Sequence, residues 1–269
     1  MTTKKALVRP PSPRLAEGIV THLERQSVDY ELGAKQWGTY VQALHSAGWE
    51  TFAVPAADDC PDGVFIEDTM VVYKNLAVIA RPGADSRMPE IIAAEAVVKS
   101  LGLSINWVRS PGTLDGGDVL KVGETIYVGV GGRTNADGVR QLRDILTPLG
   151  ATVIAVPVRK VLHLKSAVTA LADGTIIGYL PFVDDPAIFP SFRPVPEESG
   201  AHVVVLDDHR ILMAADCPKS ADMLAGLGYE PITVDIGEFQ KLEGCVTCLS
   251  VRLRHLPDSF GPEPGYAGS

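Results

Sequence analysis

Clustered positive charge is missing from this sequence of 269 residues. No run of Lys or Arg is longer than the Lys4-Lys5 pair, and the formal net charge is −9 with a pI near 5.1. Nucleic acid demands a basic footprint, so a nucleic-acid partner is excluded, while an acidic balance leans toward a cationic ligand. No apolar stretch approaches the roughly 18 residues of a membrane span. After Met1, the short run Ala6-Leu7-Val8 cannot form the core of a signal peptide. Cysteine is scarce too. Cys60, Cys217, Cys245 and Cys248 are irregularly spaced and make no secreted disulfide framework. These absences predict a cytoplasmic protein with no membrane contact. Long uninterrupted helices are also lacking, because 26 Gly and 20 Pro punctuate the chain, which excludes a coiled coil or plain helical bundle. What is present is an ordinary globular balance, 46% apolar and 21% charged, in a chain long enough to bury a real core.

Turn signals and periodicity expose one unit several times: a hairpin, a helix, then a strand. The first has β-rich segments at Phe65–Tyr73 and Leu76–Ala80 around Lys74-Asn75, a helix over Ser86–Leu101 closed by Gly102, and a strand at Ile105–Val108. The second has Asp118–Val122, the Gly123-Glu124 turn, Thr125–Val128, a helix from Asn135 to Leu149 and a strand at Thr152–Val156. The third has Ala167–Leu171 and Thr175–Tyr179 around Asp173-Gly174. Four prolines then interrupt 181–200, and His202–Leu206 is expected as its last strand. A shorter copy runs from Arg210–Ala214 through a helix at Ser220–Leu227 to Pro231–Asp235. The remaining hairpin is split between the chain ends, with Val246–Arg254 pairing Lys4–Arg9, then a helix at Ala34–Ala47 and a strand at Glu50–Val54. Five ββαβ-like units whose ends close on each other predict an α/β ring around a central axis. Residues 1–256 form the expected single domain. Pro257–Ser269, rich in Pro, Gly and Ser, reads as a disordered tail. The long, weakly patterned stretch Pro10–Tyr30 reads as a lid or binding element.

The repeat frame gives isolated residues a shared address. Cys248 and His163 each lead into a hairpin, and so do Asp62, Glu67, Asp68, Asp115 and Asp118. Equivalent positions in a ring converge at its axis. Alone, the Cys-x-x-Cys of Cys245 and Cys248 is two small buried hydrophobes at a strand start, since no second Cys/His pair supports zinc and no helix follows as in redox motifs. Alone, His163 between two leucines is a core side chain, and each Asp a turn residue. Gly116-Gly117 fits a tight turn in a crowded centre. Together they form a carboxylate cluster with one His and one Cys, and a cation is its natural ligand.

Six segments carry a more specific likeness: Phe-Ile-Glu-Asp at 65–68, Arg-Pro-Gly-Ala-Asp-Ser-Arg at 81–87, Leu-Asp-Gly-Gly-Asp-Val-Leu at 114–120, Gly-Arg-Thr-Asn at 132–135, Leu-His-Leu-Lys-Ser at 162–166 and Thr-Cys-Leu-Ser at 247–250. In this order they resemble the dimethylarginine dimethylaminohydrolase family, over essentially Leu7 to Leu253. The resemblance implies the five-bladed α/β-propeller of guanidine-modifying enzymes. It implies Cys248 as nucleophile, His163 as general acid/base, and Asp115 as the acid that orients the His. It further implies Asp62, Glu67 and Asp68 as substrate-binding, Arg87 and Arg133 at the amino-acid end, and a backbone carbonyl of Leu242 at the substrate's amino group. Pro10–Leu15 corresponds to a mobile substrate loop. Cys245 receives no role. No metal or organic cofactor is implied, and homodimerisation stays open.

The expected reaction converts asymmetric dimethylarginine, or monomethylarginine, to citrulline and the amine through a covalent S-alkylthiouronium on Cys248. Carboxylates around a thiol suppress its ionisation until a cationic substrate arrives, so activation by substrate is expected. The rivals are an arginine or agmatine deiminase using the same residues, and a non-catalytic redox or zinc module built on Cys245 and Cys248. Adventitious zinc on Cys248 and His163 would inhibit.

Overall fold

Residues 4–254 are described by a computed structural model. Each turn signal separates short strands, and the fifteen strands sort into five three-stranded sheets. In the first unit β1 (Lys4–Val8) leads through α1 (Tyr30–Ser46) to its parallel partner β2 (Trp49–Ala53). The second comprises β3 (Met70–Tyr73), β4 (Leu76–Ile79), α2 (Glu90–Ser100) and β5 (Ser104–Trp107). The third comprises β6 (Val119–Val122), β7 (Thr125–Val130), α3 (Ala136–Leu146) and β8 (Thr152–Pro157). The fourth has β9 (Val168–Ala170), β10 (Ile176–Gly178) and β11 (Phe192–Pro194). The fifth has β12 (Val203–Val205), β13 (Arg210–Ala214), α4 (Pro218–Gly226) and β14 (Glu230–Val234). A short α5 (Gly237–Gln240) follows, and β15 (Val251–Leu253) returns to pair antiparallel with β1. Every unit therefore has an antiparallel hairpin and a parallel outer strand.

Strand alternation closes the ring. Successive side chains on a strand point to opposite faces, so each central sheet serves two neighbours. Ala6 and Val8 pack with Val204, Leu212 and Val234 of the fifth unit, whereas Leu7 packs with Met70 and Ile79 of the second. Val71 and Tyr73 turn instead to Val119 and Ile126, and Tyr127 to Val168 and Ile176. Ile177 meets Val203 and Ile211. One apolar cluster thus lies between each successive pair of units. All five inner strands contribute to a narrow axial cavity of about 130 Å³, including Val72, Lys121, Thr169, Val204 and Arg252. The chain forms a five-bladed, propeller-like α/β fold.

Helix ends follow local chemistry. Asp29 caps α1 by accepting from the Leu32 N–H at 3.1 Å, so α1 begins earlier than Ala34. Asn135 caps α3 through the Gly138 N–H at 2.8 Å. Its buried face, Val139, Leu142 and Leu146, has helical spacing.

Three expectations need correction. Val203–Val205 is not the last strand of the fourth unit; it is the inner strand of the fifth, paired with β13, and Phe192–Pro194 closes the fourth. Prolines prevent an α-helix there, leaving the single turns Leu180–Phe182 and Pro186–Ile188. Residues 65–69 and 246–250 are not strand. Ile66–Thr69 is a helical turn, as are Gly116–Asp118, Leu164–Ser166 and Ser199–Ala201 in the other units. Those turns precede inner strands, where the crowded axis needs side chains aimed along it rather than across a sheet. Finally, α2 starts at Glu90, because Asp85–Arg87 forms a separate turn before Pro89. The Pro257–Ser269 tail lies outside the described residues.

Candidate active site

The helical turns before the inner strands carry the candidate residues to one end of the axis. His163 precedes Leu164–Ser166, and its Nε2 lies 3.0 Å from Asp115 Oδ2. Its Nδ1 faces Asp68 Oδ1 at 3.8 Å. His163 is 3% exposed, Asp68 3% and Asp115 0%, so their charges act without water between them. Burial opposes the imidazolium, but Asp68, the hydrogen bond to Asp115 and the charge of Asp118 outweigh it and raise His163 to about 9. Burial likewise opposes the Asp68 carboxylate, yet His163, Arg87 and the Gly117 N–H bring it down to about 2. At neutral pH the resting ring is an imidazolium between two carboxylates.

Each carboxylate is fixed by its own partners. Asp68 accepts from Gly117 N at 2.8 Å and from Arg87 Nη1 at 2.7 Å. Asp115 accepts from Gly83 N at 2.9 Å, and Arg133 Nη1 lies 3.5 Å away. Beneath them Asp118 accepts from Thr134 Oγ1 at 2.6 Å and from Leu164 N at 2.9 Å, which holds the segment bearing His163. Burial raises Asp118 to about 6 against the pull of His163 and these donors. Gly117 is required by space. A Cβ there would stand 2.6 Å from Asp68 Oδ1 and 2.7 Å from His163 Nδ1.

Cys248 ends a turn in which its N–H donates to Cys245 O at 3.0 Å. Its own carbonyl accepts from Glu67 N at 3.1 Å, tying this turn to the one carrying Asp68. The two sulfurs of Cys245 and Cys248 lie 3.3 Å apart. Proton sharing with Cys245, then burial, then the charges of Cys245, Glu67 and Asp68 push the Cys248 thiol well above its ordinary value. The pair loses one proton readily and holds the second.

Arg87 is buried and heavily engaged. Its Nη2 meets Glu90 Oε2 at 2.8 Å, Phe65 O at 3.2 Å and Asp62 O at 3.3 Å, and its Nε meets Glu90 Oε1 at 2.9 Å. One Nη1–H is left to point elsewhere. Removing one partner of such a pair leaves an uncompensated buried charge, costing about 3–5 kcal/mol. Arg133 has fewer ties, its one side-chain hydrogen bond among the described residues being that to Asp115.

Asp62 and Leu242 stand at the edge of the cluster, beneath the segment expected as a lid. Asp62 Oδ1 accepts from Ile19 N at 3.0 Å, and a Cβ on Gly18 would touch both Asp62 and Leu242. Burial raises the Asp62 carboxyl, opposed by Arg87 and the Ile19 N–H. Glu243, at φ +62°, straps the segment by accepting from the N–H groups of Thr21, His22 and Leu23. A cavity of about 750 Å³ opens alongside, lined by Leu162, Ser166, His202, Gln240, Glu243 and Gly244. It borders the chain neighbours of His163 and Cys245.

Glu67 pairs through Oε1 with Lys165 at 2.6 Å and with Arg252, which lie toward the axial cavity, while its Oε2 is buried with no hydrogen-bond partner among the described residues. Arg252 carried no signal beyond its charge, and Lys165 received no role although it lies inside the Leu-His-Leu-Lys-Ser segment. Glu90 also escaped sequence reasoning, as did Thr134, although Thr134 lies inside the Gly-Arg-Thr-Asn segment. Asp68, Asp115 and His163 offer ligand atoms within 4.8 Å of one another, but these carboxylates already accept from Arg87, Gly117 and Gly83.

A family model described as arginine deiminase matches residues 52–217. The N(G),N(G)-dimethylarginine dimethylaminohydrolase of Streptomyces coelicolor is 67% identical over 96% of this chain and 100% of its own length. The chain belongs to the dimethylarginine dimethylaminohydrolase family. The protein of that name from Pseudomonas aeruginosa is 34% identical over 93% of this chain and 99% of its own. Among solved structures, a His-to-Gly variant of dimethylarginine dimethylaminohydrolase, held as its adduct with S-methyl-L-thiocitrulline, superposes with a TM-score of 0.88 at 31% identity, covering 94% of this chain and 100% of that one. A Cys-to-Ser variant of the Pseudomonas aeruginosa enzyme, complexed with citrulline, matches with a TM-score of 0.87 at 32% identity over the same shares. The N-terminal domain of ArgZ, an arginine dihydrolase, shares the fold with a TM-score of 0.85 at 21% identity. Among the described residues, no helix is long and apolar enough to cross a membrane.

Proposed function

We propose that this member of the dimethylarginine dimethylaminohydrolase family hydrolyses asymmetric dimethylarginine to citrulline and dimethylamine, and monomethylarginine to citrulline and methylamine. The observation that carries the mechanism is the buried His163 imidazolium between Asp68 and Asp115, with the charge of Asp68 also bearing on a Cys248 thiol that its surroundings keep protonated. The 67% identity to the Streptomyces coelicolor relative supports the choice of substrate.

Such a site rests in the wrong protonation state for attack and the right one for leaving-group departure. Asp68 and Asp115 receive the substrate guanidinium, and Asp62 receives the remaining positive charge at the lid. The arriving cation offsets the carboxylate field that opposes ionisation of Cys248, so the thiolate forms on binding. It attacks the guanidinium carbon, and His163, already protonated, gives its proton to the departing dimethylamine. The S-alkylthiouronium on Cys248 remains. Neutral His163 then takes a proton from water, which attacks the same carbon and releases citrulline and the thiol. Arg133, with the remaining Nη1–H of Arg87, binds the substrate carboxylate, while the Leu242 carbonyl accepts from its amino group. Glu67, held at one oxygen by Lys165 and Arg252, joins Asp62 and Asp68 in binding substrate. No cofactor enters these steps. Residues 1–256 act as one catalytic domain, and reduced, adjacent thiols suit a cytoplasmic setting.

The test offers asymmetric dimethylarginine, monomethylarginine, arginine and agmatine at matched concentrations and scores citrulline and released amine. Citrulline with dimethylamine, abolished in Cys248→Ser, is the expected result. Turnover of arginine or agmatine alone overturns the substrate assignment and moves the enzyme to a deiminase activity.

A further inference from the structure

We propose that Cys245 is the resolving thiol of the nucleophile, so that oxidation of Cys248 ends in a reversible Cys245–Cys248 disulfide that silences the enzyme and shields the sulfur from further damage. The inference rests on the reading of Cys248 as the nucleophile.

The geometry is that of a bridge not yet formed. The two sulfurs are 3.3 Å apart, and the Cys245 N–H also points at Cys248 Sγ at 3.5 Å. The Cys248 N–H to Cys245 O bond closes a four-residue turn. Turn ends lie within about 7 Å, Cα to Cα, overlapping the range of about 4.4–6.8 Å that disulfides span. Contraction of the sulfur pair to about 2.05 Å is within reach of side-chain rotation in such a turn. Both side chains are buried and free. The other two cysteines have no such partner. Cys217 donates to the Ala214 carbonyl at 3.1 Å, and Cys60 stands on the loop before Asp62. Packing alone would be met by any small residue at 245. A second sulfur here places a thiol within reach of the Cys248 sulfur once that sulfur is oxidised. A cavity of about 750 Å³ reaches Gly244, the chain neighbour of Cys245.

The oxidant is a hydroperoxide. The Cys248 thiolate attacks one oxygen of hydrogen peroxide, the O–O bond breaks, and hydroxide leaves and is protonated, giving Cys248 sulfenic acid. Cys245 sulfur then attacks the sulfenic sulfur. The S–S bond forms, the S–O bond breaks, and hydroxide departs with the Cys245 proton as water. Two thiols and one peroxide become one disulfide and two waters, and a dithiol returns the two electrons. Without Cys245 the sulfenic acid stays exposed to a second peroxide, which takes it to the irreversible sulfinic acid.

The experiment treats the intact enzyme with one equivalent of hydrogen peroxide, quenches in acid, alkylates free thiols in denaturant, and reads peptide masses alongside residual activity. The expected wild-type result is a fall from four thiols to two, a 245–248 bridge in the peptide spanning both residues, and activity restored by dithiothreitol. Cys245→Ser, or Cys245→Ala if serine disturbs the turn, should lose activity to peroxide and not regain it with dithiothreitol, with sulfinic acid at Cys248. Cys60→Ser and Cys217→Ser should behave as wild type. Inactivation with no 245–248 bridge, or equal recovery in Cys245→Ser, overturns the proposal. A bridge that forms while turnover of methylated arginine continues instead overturns the nucleophile assignment, a result the peptide masses distinguish.

Discussion

His163 Nε2 sits 3.0 Å from Asp115 Oδ2 although 48 residues separate them. In the proposed reaction this pairing stores the proton that the leaving amine needs. Replacing Asp115 with Asn keeps the shape and removes the charge, so the apparent pKa of His163 should fall from about 9 toward its ordinary value. Imidazole NMR titration measures this. A loss of about 100-fold in kcat should accompany it, with smaller change in KM, because the general acid is then mostly unprotonated and less well aimed.

Stability should decline in mildly alkaline solution because of the same residue. Its folded pKa of about 9 lies above the unfolded 6.5. The stabilisation is therefore complete below about pH 6.5 and is lost as pH rises through about 9. At roughly 1.4 kcal/mol per unit, the contribution is about 3 kcal/mol. Urea midpoints at pH 6 and pH 9.5 should diverge in the parent and converge in His163→Asn. Asp68 acts in the opposite direction: held at about 2, it loses its contribution only as pH falls through that value.

Gly117→Ala should be severe although it adds one methyl group. The new Cβ would meet Asp68 Oδ1 at 2.6 Å and His163 Nδ1 at 2.7 Å, both already locked by other partners. A stability loss of about 1–3 kcal/mol is expected from overpacking. A much larger proportional loss in kcat should follow, since the ring moves off Asp115. Gly38→Ala, on α1 with nothing within 4 Å of the new carbon, should instead stabilise by up to about 1 kcal/mol and keep full turnover. Thermal melts and steady-state kinetics of the two variants separate site crowding from a general intolerance of change.

Glu243→Ala should loosen the segment over the site. Its carboxylate accepts from Thr21 N at 3.1 Å and Leu23 N at 2.9 Å, and among the described residues no other side chain caps these donors. Hydrogen bonds to a charged acceptor are worth about 1.5–3 kcal/mol, so trypsin cleavage after Arg14 or Arg25 should accelerate by about tenfold. KM should rise more than kcat falls, because Asp62 and Leu242 lose their cover while His163 and Cys248 keep theirs. Limited proteolysis with kinetics on the same preparation measures both.

Much of the ring was legible because its cause is local. Turn residues such as Gly102, Gly123, Gly150 and Gly174 adopt positive φ, and the short apolar runs between them have one way to bury both faces. The place of Val203–Val205 is not legible in the sequence, because three valines between turns carry no mark of which neighbour they will pair with; only the partner edge offered by β13 decides. Residues 65–69 looked like strand for a similar reason. Their apolar content is strand-like, yet the axis leaves room only for a tight turn.

The site divides along the same line. Sequence by itself determined the residue types, Cys248, His163 and the carboxylates, and the repeat frame that brings them to one end of the axis. Tertiary structure decided which way each side chain faces and how it is charged. Lys165 and Arg252 pair with Glu67, Glu90 and Asp68 bind Arg87 from both sides, and Cys245 comes to rest against Cys248. Those outcomes depend on desolvation and on charges contributed by distant segments. Neither quantity exists until the blades have closed.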